Sequence, residues 1–166
     1  MKFNYYNSLN EQADRILDMC NATTNKEIQE LKQQSLKWRE LICDKLYTDF
    51  LPPIERRDLL CIVQQMGYIA YEIAQVLSAK ACNSADGLLL KKGLQSCAAV
   101  LCDETRGLSK RTCCATRLRR SVFTLLSTWR DCVIAGSDRF LCDGFEAVAE
   151  ALLRYADAIE AATIII

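Results

Sequence analysis

Residues 50–60 read FLPPIERRDLL and contain both prolines of the chain. Proline lacks an N–H and has a fixed φ, so it suits the first turn of a helix and disfavours helical backbone in the preceding residue. Pro52 and Pro53 therefore predict a sharp corner that ends one helix and begins the next. Glu55 and Asp58 would lie in the first turn of that next helix, where negative charge suits the positive end of the helix dipole.

Apolar residues on both sides of this corner recur at intervals of three and four, the spacing of one helix face. Breaks rich in asparagine, serine and glycine lie at residues 21–25, 83–87, 107–109 and 136–138. With the proline corner they divide the chain into six helices, and no stretch shows the period of two that indicates a strand. The connections are short, so the sequence predicts an all-α bundle with antiparallel neighbours.

Two helix starts can be predicted from single residues. Ser109 belongs to the residue types that cap helix N-termini, so it is expected to begin the fifth helix. The sixth helix is expected to begin near Asp143, after the glycine and serine of the last break.

The composition predicts one globular domain over residues 1–166. Apolar residues make up 51% of the chain, and 21 basic residues balance 21 acidic ones, so no net charge attracts nucleic acid or anionic lipid. The first residues lack the apolar core of a signal peptide, and no apolar run reaches the roughly 20 residues of a transmembrane helix. We expect a cytoplasmic protein that does not span the membrane.

The cysteine and histidine counts argue against catalysis and structural metal. Ten cysteines contain no Cys-x-x-Cys pair and the chain has no histidine, so neither a zinc site nor a histidine-assisted nucleophile is favoured. Most of the cysteines are expected to be small buried apolar side chains. Cys113 and Cys114 lie among arginines, which lower thiol pKa values, and are candidate reactive thiols. We predict a protein without enzymatic activity or a cofactor.

A short repeat suggests a tandem duplication. Trp38, Arg39 and Glu40 recur as a Trp-Arg-Asp triplet that begins at Trp129. Each triplet lies late in the middle helix of a group of three. The sequence therefore predicts two three-helix repeats, the first over about residues 1–80 and the second over about residues 84–166.

A tandem three-helix repeat with a proline corner resembles the PhoU-like phosphate-transport regulators, and most of all the branch encoded beside Pit-type low-affinity phosphate transporters. The first helix, FNYYNSLNEQADRILDMC at residues 3–20, is similar to that of the family. The corner matches the family pattern in order at Phe50, Pro53, Ile54, Glu55, Arg56 and Asp58. The resemblance implies a six-helix PhoU-like bundle and leaves room for a homo-oligomer.

Members of the wider family bind metal ions through acidic clusters on their helices, and this chain departs from that pattern. Leu31 and Ser35 stand where the second helix should carry acids, and Gly67, Tyr68 and Tyr71 replace those of the third. The sixth helix keeps three weak metal-ligand candidates, Glu150, Asp157 and Glu160. We therefore expect no metal.

A basic segment is the second charged feature of the chain. Seven basic residues lie at 106–130, and no acid stands at 107–130. The segment could be a solvated helix face paired with acids of neighbouring helices, a docking surface for an acidic protein or a transporter loop, or a nucleic-acid contact. Arginine forks suit anions, and the candidates for binding a partner or an anion are Arg111, Arg117, Arg119 and Arg120.

The resemblance implies a non-enzymatic regulator or accessory protein of inorganic phosphate transport. It would dock on a membrane transporter or a signalling partner from the cytosol, peripheral to the inner face of the membrane, without binding nucleic acid. Two alternatives stay open: a metal-binding helical bundle with a remnant carboxylate site, and a nucleic-acid-binding module that uses the arginines at 106–130.

Overall fold

Six helices form where the apolar periodicity predicts them. The computed structural model describes residues 2–164, and no strand is present in that range, so the prediction of an all-α protein is confirmed. A short 3-10 helix, Lys80–Asn83, precedes the fourth α-helix. The α-helices are α1 (Tyr5–Asn21), α2 (Asn25–Thr48), α3 (Arg56–Leu77), α4 (Ala85–Gly107), α5 (Ala115–Ile134) and α6 (Arg139–Thr163).

Side-chain caps fix four of the helix starts, because each cap accepts a backbone N–H that has no partner within the helix. Asn4, Thr24 and Ser84 cap α1, α2 and α4. The Asp138 carboxylate accepts the Leu141 N–H at 2.9 Å, so α6 begins at Arg139. The predicted start near Asp143 was therefore wrong.

The predicted start of α5 was also wrong. Ser109 does not cap this helix, and its hydroxyl instead donates to the Arg106 carbonyl at 3.4 Å. The chain turns through Arg111, whose φ of 54° is left-handed, and α5 begins at Ala115 after Cys114. Tertiary contacts hold this turn, and the local sequence around Ser109 gives no sign of them.

The helices form a closed ring in the order α1, α2, α3, α6, α5, α4 and back to α1, and α1 also packs against α3. Contacts between successive members of the ring pair early residues of one helix with late residues of the other. On α1 and α2, for example, Ser8 meets Trp38 and Gln12 meets Ser35. Neighbours in the ring thus run antiparallel, as the short connections predict.

The apolar stripes of the helices meet inside the ring, where Tyr5, Phe145 and Tyr155 are the largest fully buried side chains. Burial of such side chains provides the main stabilising free energy of the fold. Six cysteines also belong to this core, as predicted for small apolar side chains. They are Cys20, Cys82, Cys97, Cys102, Cys132 and Cys142.

The two tryptophans of the short repeat contact different neighbours. The Trp38 indole N–H donates to the Ser8 hydroxyl of α1 at 2.9 Å. The Trp129 indole N–H donates to the Cys142 carbonyl of α6 at 2.8 Å. Trp38 therefore faces the helix before its own, and Trp129 faces the helix after its own. The two-repeat organisation stays a prediction.

Candidate functional site

The proline corner projects three large apolar side chains into solvent. Tyr47, Phe50 and Leu51 are 81%, 89% and 66% exposed. Exposed apolar area gives no burial energy to the fold, and several such side chains so close in sequence are typical of an interaction surface. Phe50, the first residue of the family-like motif, therefore lies on the surface and does not pack in the core.

Polar contacts hold this corner in place. The Arg56 guanidinium donates to the Asp49 carbonyl at 2.6 Å, and the Asp49 carboxylate accepts the Leu51 N–H at 3.3 Å. Asp49 is the C-terminal cap of α2, so Arg56 places positive charge at the negative end of that helix dipole. This contact explains why an arginine is tolerated in the first turn of α3.

The prolines end α2, but they do not form the first turn of α3. That helix begins at Arg56, after an irregular segment that contains Pro52 and Pro53. Glu55 occupies the N-cap position without a side-chain capping bond, so its predicted place in the first turn was wrong. Asp58 lies in the first turn of α3, as predicted.

One end of the bundle brings the corner and the basic segment together. A cavity of about 260 Å³ is lined by Pro53, Glu55 and Asp58 from the corner and by Arg111 from the α4–α5 connection. The start of α1 and the end of α6 complete its wall. The structure thus places Arg111 beside the proline-corner motif, across more than fifty residues of sequence.

Arg117 is engaged within the protein. Its Nε donates to Glu104 Oε1 at 2.7 Å, and its Nη2 lies 2.5 Å from the same oxygen. The Glu104 side chain has no exposed area and also accepts the Cys114 N–H. The sequence analysis did not identify Glu104. The sequence held one sign that Glu104 is buried: this acid stands three residues after Leu101 and four residues before Leu108, on the apolar face of α4.

Arg119 and two of the candidate metal ligands pair with one another. Arg119 donates to Asp157 Oδ1 at 2.7 Å and also to the Glu160 carboxylate. The third candidate, Glu150, faces Arg154 at 3.5 Å. Within residues 2–164, no group of three or more acids or cysteines is placed to hold a metal ion.

Cations of α2 lie over two tyrosine rings of α3. Lys32 lies over the Tyr71 ring at 4.8 Å from its centre, and Arg39 lies over the Tyr68 ring at 5.9 Å. Such contacts attract a cation to the ring face. Ser35 is buried against Gln12 of α1, where an unpaired carboxylate would be costly.

Arg120 remains available to a partner. It is exposed on the outer side of α5 and has no ion pair among the described residues. Phe123, 58% exposed, and Arg130 lie on the same exposed side of the helix. This side of α5 is therefore basic with an aromatic residue at its centre.

The two adjacent cysteines differ in environment. Cys114 is exposed at the start of α5, and hydrogen bonds from the Thr116 N–H, the Thr116 hydroxyl and the Arg117 N–H lower the pKa of its thiol. Burial raises the pKa of the Cys113 thiol. Of the two predicted thiols, Cys114 has the environment that favours the thiolate.

No protein-family model and no curated protein sequence matches this chain. In residues 2–164, none of the helices combines the length and the apolar character needed to cross a membrane.

Proposed function

We propose that the protein is a non-enzymatic regulator or accessory protein of inorganic phosphate transport. It docks on a membrane transporter or a signalling partner from the cytosolic side. The observation that supports this proposal best is the exposure of Tyr47 at the end of α2 and of Phe50 and Leu51 in the proline corner. The corner carries the motif that resembles the PhoU-like regulators. We extend the proposal to a bundle of two three-helix repeats, at about 1–80 and 84–166.

The geometry of the corner suits protein binding. Aromatic side chains dominate the binding energy of protein interfaces when they enter a pocket on the partner. A preorganised loop loses less conformational entropy on binding than a flexible one. The Arg56–Asp49 contact supplies such preorganisation, so Phe50 and Leu51 are presented ready to bind.

The outer side of α5 offers a second contact of different chemistry. Arg120 and Arg130 flank the exposed Phe123, and no acid lies between them in sequence. An acidic loop of the partner would complement this surface and set the orientation of docking. Regulation requires that the partner bind more tightly in one of its conformations, because a ligand shifts an equilibrium only by its differential affinity.

The two alternative functions have less support in the geometry. A metal site at Asp157 and Glu160 would have to displace Arg119 from both carboxylates. In a nucleic-acid site at 106–130, Arg117 and Arg119 would not be free to bind phosphate, because both form ion pairs within the protein. The net charge of the chain is also zero. Docking through the corner requires neither change.

The test measures binding to a Pit-type phosphate transporter in lipid nanodiscs, followed by phosphate uptake in proteoliposomes. We expect the wild-type protein to bind, and the double variant Phe50→Ser/Leu51→Ser to bind at least tenfold more weakly. Phe140→Ser is the matched control, because Phe140 is also exposed, at 63%, but lies at the start of α6. Absence of binding together with unchanged uptake would overturn the proposal.

A further inference from the structure

A groove between α1 and α2 has no role in the proposed docking function. It has a volume of about 580 Å³, which lies within the range of about 300–1,000 Å³ for small-molecule sites. Its apolar lining is Phe3, Trp38 and Leu41. The polar side chains that line it are Asn4, Asn7, Ser8, Glu11, Arg15, Gln34 and Lys37.

Buried polar groups position the Arg15 guanidinium in this groove. Arg15 Nη1 donates to Gln12 Oε1 at 2.5 Å, and Gln12 is fully buried. Gln12 Nε2 in turn donates to the Ser35 hydroxyl at 3.1 Å, and Ser35 is also buried. A binding group whose own partner is locked by a second layer of hydrogen bonds is preorganised for a ligand.

The positive charge of Arg15 is only partly compensated by the protein. Arg15 has no ion pair among the described residues, and its partial burial lowers its pKa. Glu11 and Asp18 act in the opposite direction from one turn away along α1. Lys37 lines the same groove and also has no ion pair within residues 2–164. The side chains that line the groove therefore include two cations, Arg15 and Lys37, and one acid, Glu11.

Hydrogen bonds fix the orientation of Trp38, which is the most buried apolar residue of the lining. The Trp38 indole N–H donates to the Ser8 hydroxyl at 2.9 Å and to the Ser8 carbonyl at 3.0 Å, which holds the ring in one orientation. Leu41 is 51% exposed, so part of the apolar lining is open to a ligand. Apolar surface beside a preorganised cation suits a molecule with one apolar part and one anionic group.

We propose that the α1–α2 groove binds a small organic anion, with its anionic group on Arg15 and Lys37 and its apolar body over Phe3, Trp38 and Leu41. Glu11 lines the same groove and disfavours multiply charged anions, so the proposed ligand carries a single negative charge. The carboxamides of Asn4, Asn7 and Gln34 supply hydrogen bonds for its polar atoms. Neither Phe50 nor Leu51 lines the groove, and this proposal does not depend on the docking proposal.

Two dyes with nearly the same apolar body test this proposal. 8-Anilinonaphthalene-1-sulfonate carries one negative charge, and N-phenyl-1-naphthylamine is its uncharged counterpart. Both become fluorescent in apolar surroundings, so titrations give their affinities directly. We expect the sulfonate to bind the wild-type protein at a single site and more tightly than the neutral dye.

Variants separate the two parts of the site. Arg15→Gln is expected to weaken the sulfonate about tenfold or more, because a charge-assisted hydrogen bond is lost, and to leave the neutral dye unchanged. Leu41→Asn should weaken both dyes alike. Arg139→Gln at the start of α6 is the control, because this exposed arginine lies outside both proposed binding surfaces, and it should weaken neither. Circular dichroism verifies that each variant is folded.

Three outcomes would overturn the proposal: no binding of the sulfonate to the folded wild type, sulfonate binding that Arg15→Gln leaves unchanged, or an equal loss for both dyes on Arg15→Gln. Arg15→Lys adds a further check. It keeps the charge but loses the planar fork, so its sulfonate affinity should lie between those of the wild type and Arg15→Gln. Because the docking assay uses Phe50 and Leu51, the two proposals can fail separately.

Discussion

Arg117 of α5 closes over the buried carboxylate of Glu104 on α4, and the same carboxylate accepts the Cys114 N–H. One acid therefore joins the end of α4, the connection and the first turn of α5. A buried carboxylate is tolerated only when its oxygens are paired. Glu104 thus explains why α5 begins at Ala115 rather than after Ser109.

The first prediction concerns this carboxylate. Glu104→Ala should lower the free energy of unfolding by about 1–3 kcal/mol, because it removes the hydrogen-bond partner of the Cys114 N–H and opens space in the core. Arg117→Ala should act in the same direction, because it leaves the Glu104 charge buried without a cation. Urea denaturation measures both effects.

Its control is Arg120→Ala, which removes an exposed arginine one turn further along α5 and should leave the urea midpoint unchanged. Adding Glu104→Gln to the Arg117→Ala variant should recover part of the lost stability, because a neutral amide needs no cation. A double variant less stable than Arg117→Ala alone would contradict this account.

The second prediction compares two buried tyrosines. The Tyr5 hydroxyl is buried and makes no hydrogen bond of normal geometry within residues 2–164, whereas the Tyr155 hydroxyl is hydrogen-bonded to the Thr105 hydroxyl. Tyr5→Phe should therefore leave the free energy of unfolding unchanged or slightly raised, and Tyr155→Phe should lower it by about 1 kcal/mol. Urea denaturation at neutral pH measures both variants. Equal losses of stability would contradict the conclusion that only the Tyr155 hydroxyl is hydrogen-bonded.

The same tyrosine gives a prediction on pH. Burial, with a smaller contribution from nearby Asp49, raises the pKa of Tyr5 to about 12. The unfolded chain ionises Tyr5 near pH 10, so above that pH the unfolded state binds fewer protons than the folded state. Stability from Tyr5 is therefore complete below about pH 10 and is lost as the pH rises towards 12. Tyr5→Phe should show a weaker loss of stability over this range.

The number and order of the helices could be predicted because they depend on local patterns. Apolar residues at helical spacing define each helix, and one break between each pair defines the connections. The corner at Pro52 and Pro53 is also local, since proline restricts its own backbone and that of the residue before it. The start of α5 was missed because it depends on Glu104, ten residues before Cys114.

The candidate site was predicted less completely, because charge pairing depends on the tertiary structure. The sequence showed a run of arginines without an intervening acid, but it did not show that α6 brings Asp157 and Glu160 to Arg119. The groove of Arg15 was missed for the same reason. The only sign of this groove in the sequence was Gln12, the residue that positions Arg15. Gln12 is polar but lies on the buried side of α1.

The fourth prediction concerns thiol reactivity. Hydrogen bonds from the Thr116 N–H and hydroxyl and the Arg117 N–H stabilise the Cys114 thiolate and lower its pKa. At a pH below the ordinary thiol pKa, Cys114 should therefore be more ionised, and alkylated faster by iodoacetamide, than Cys113, whose pKa is raised by burial. Mass spectrometry of peptides alkylated between pH 6 and 10 measures both rates. Faster modification of Cys113 at neutral pH would contradict the prediction.

The last prediction tests the contact between α3 and α6. A Cβ on Gly144 would lie 2.7 Å from Val76 Cγ2 and 3.0 Å from Val76 Cβ, so the two helices approach closely because position 144 has no side chain. Gly144→Ala gains about 1 kcal/mol of helix propensity but overpacks the contact by about 1–3 kcal/mol. We expect a net loss of stability. Val76→Ala removes Cγ2, the nearer of the two atoms, and keeps Cβ, so it relieves the closest contact. The double variant should therefore be more stable than the sum of the single effects predicts. Additive losses in urea denaturation would show that Val76 and position 144 do not limit how closely α3 and α6 pack.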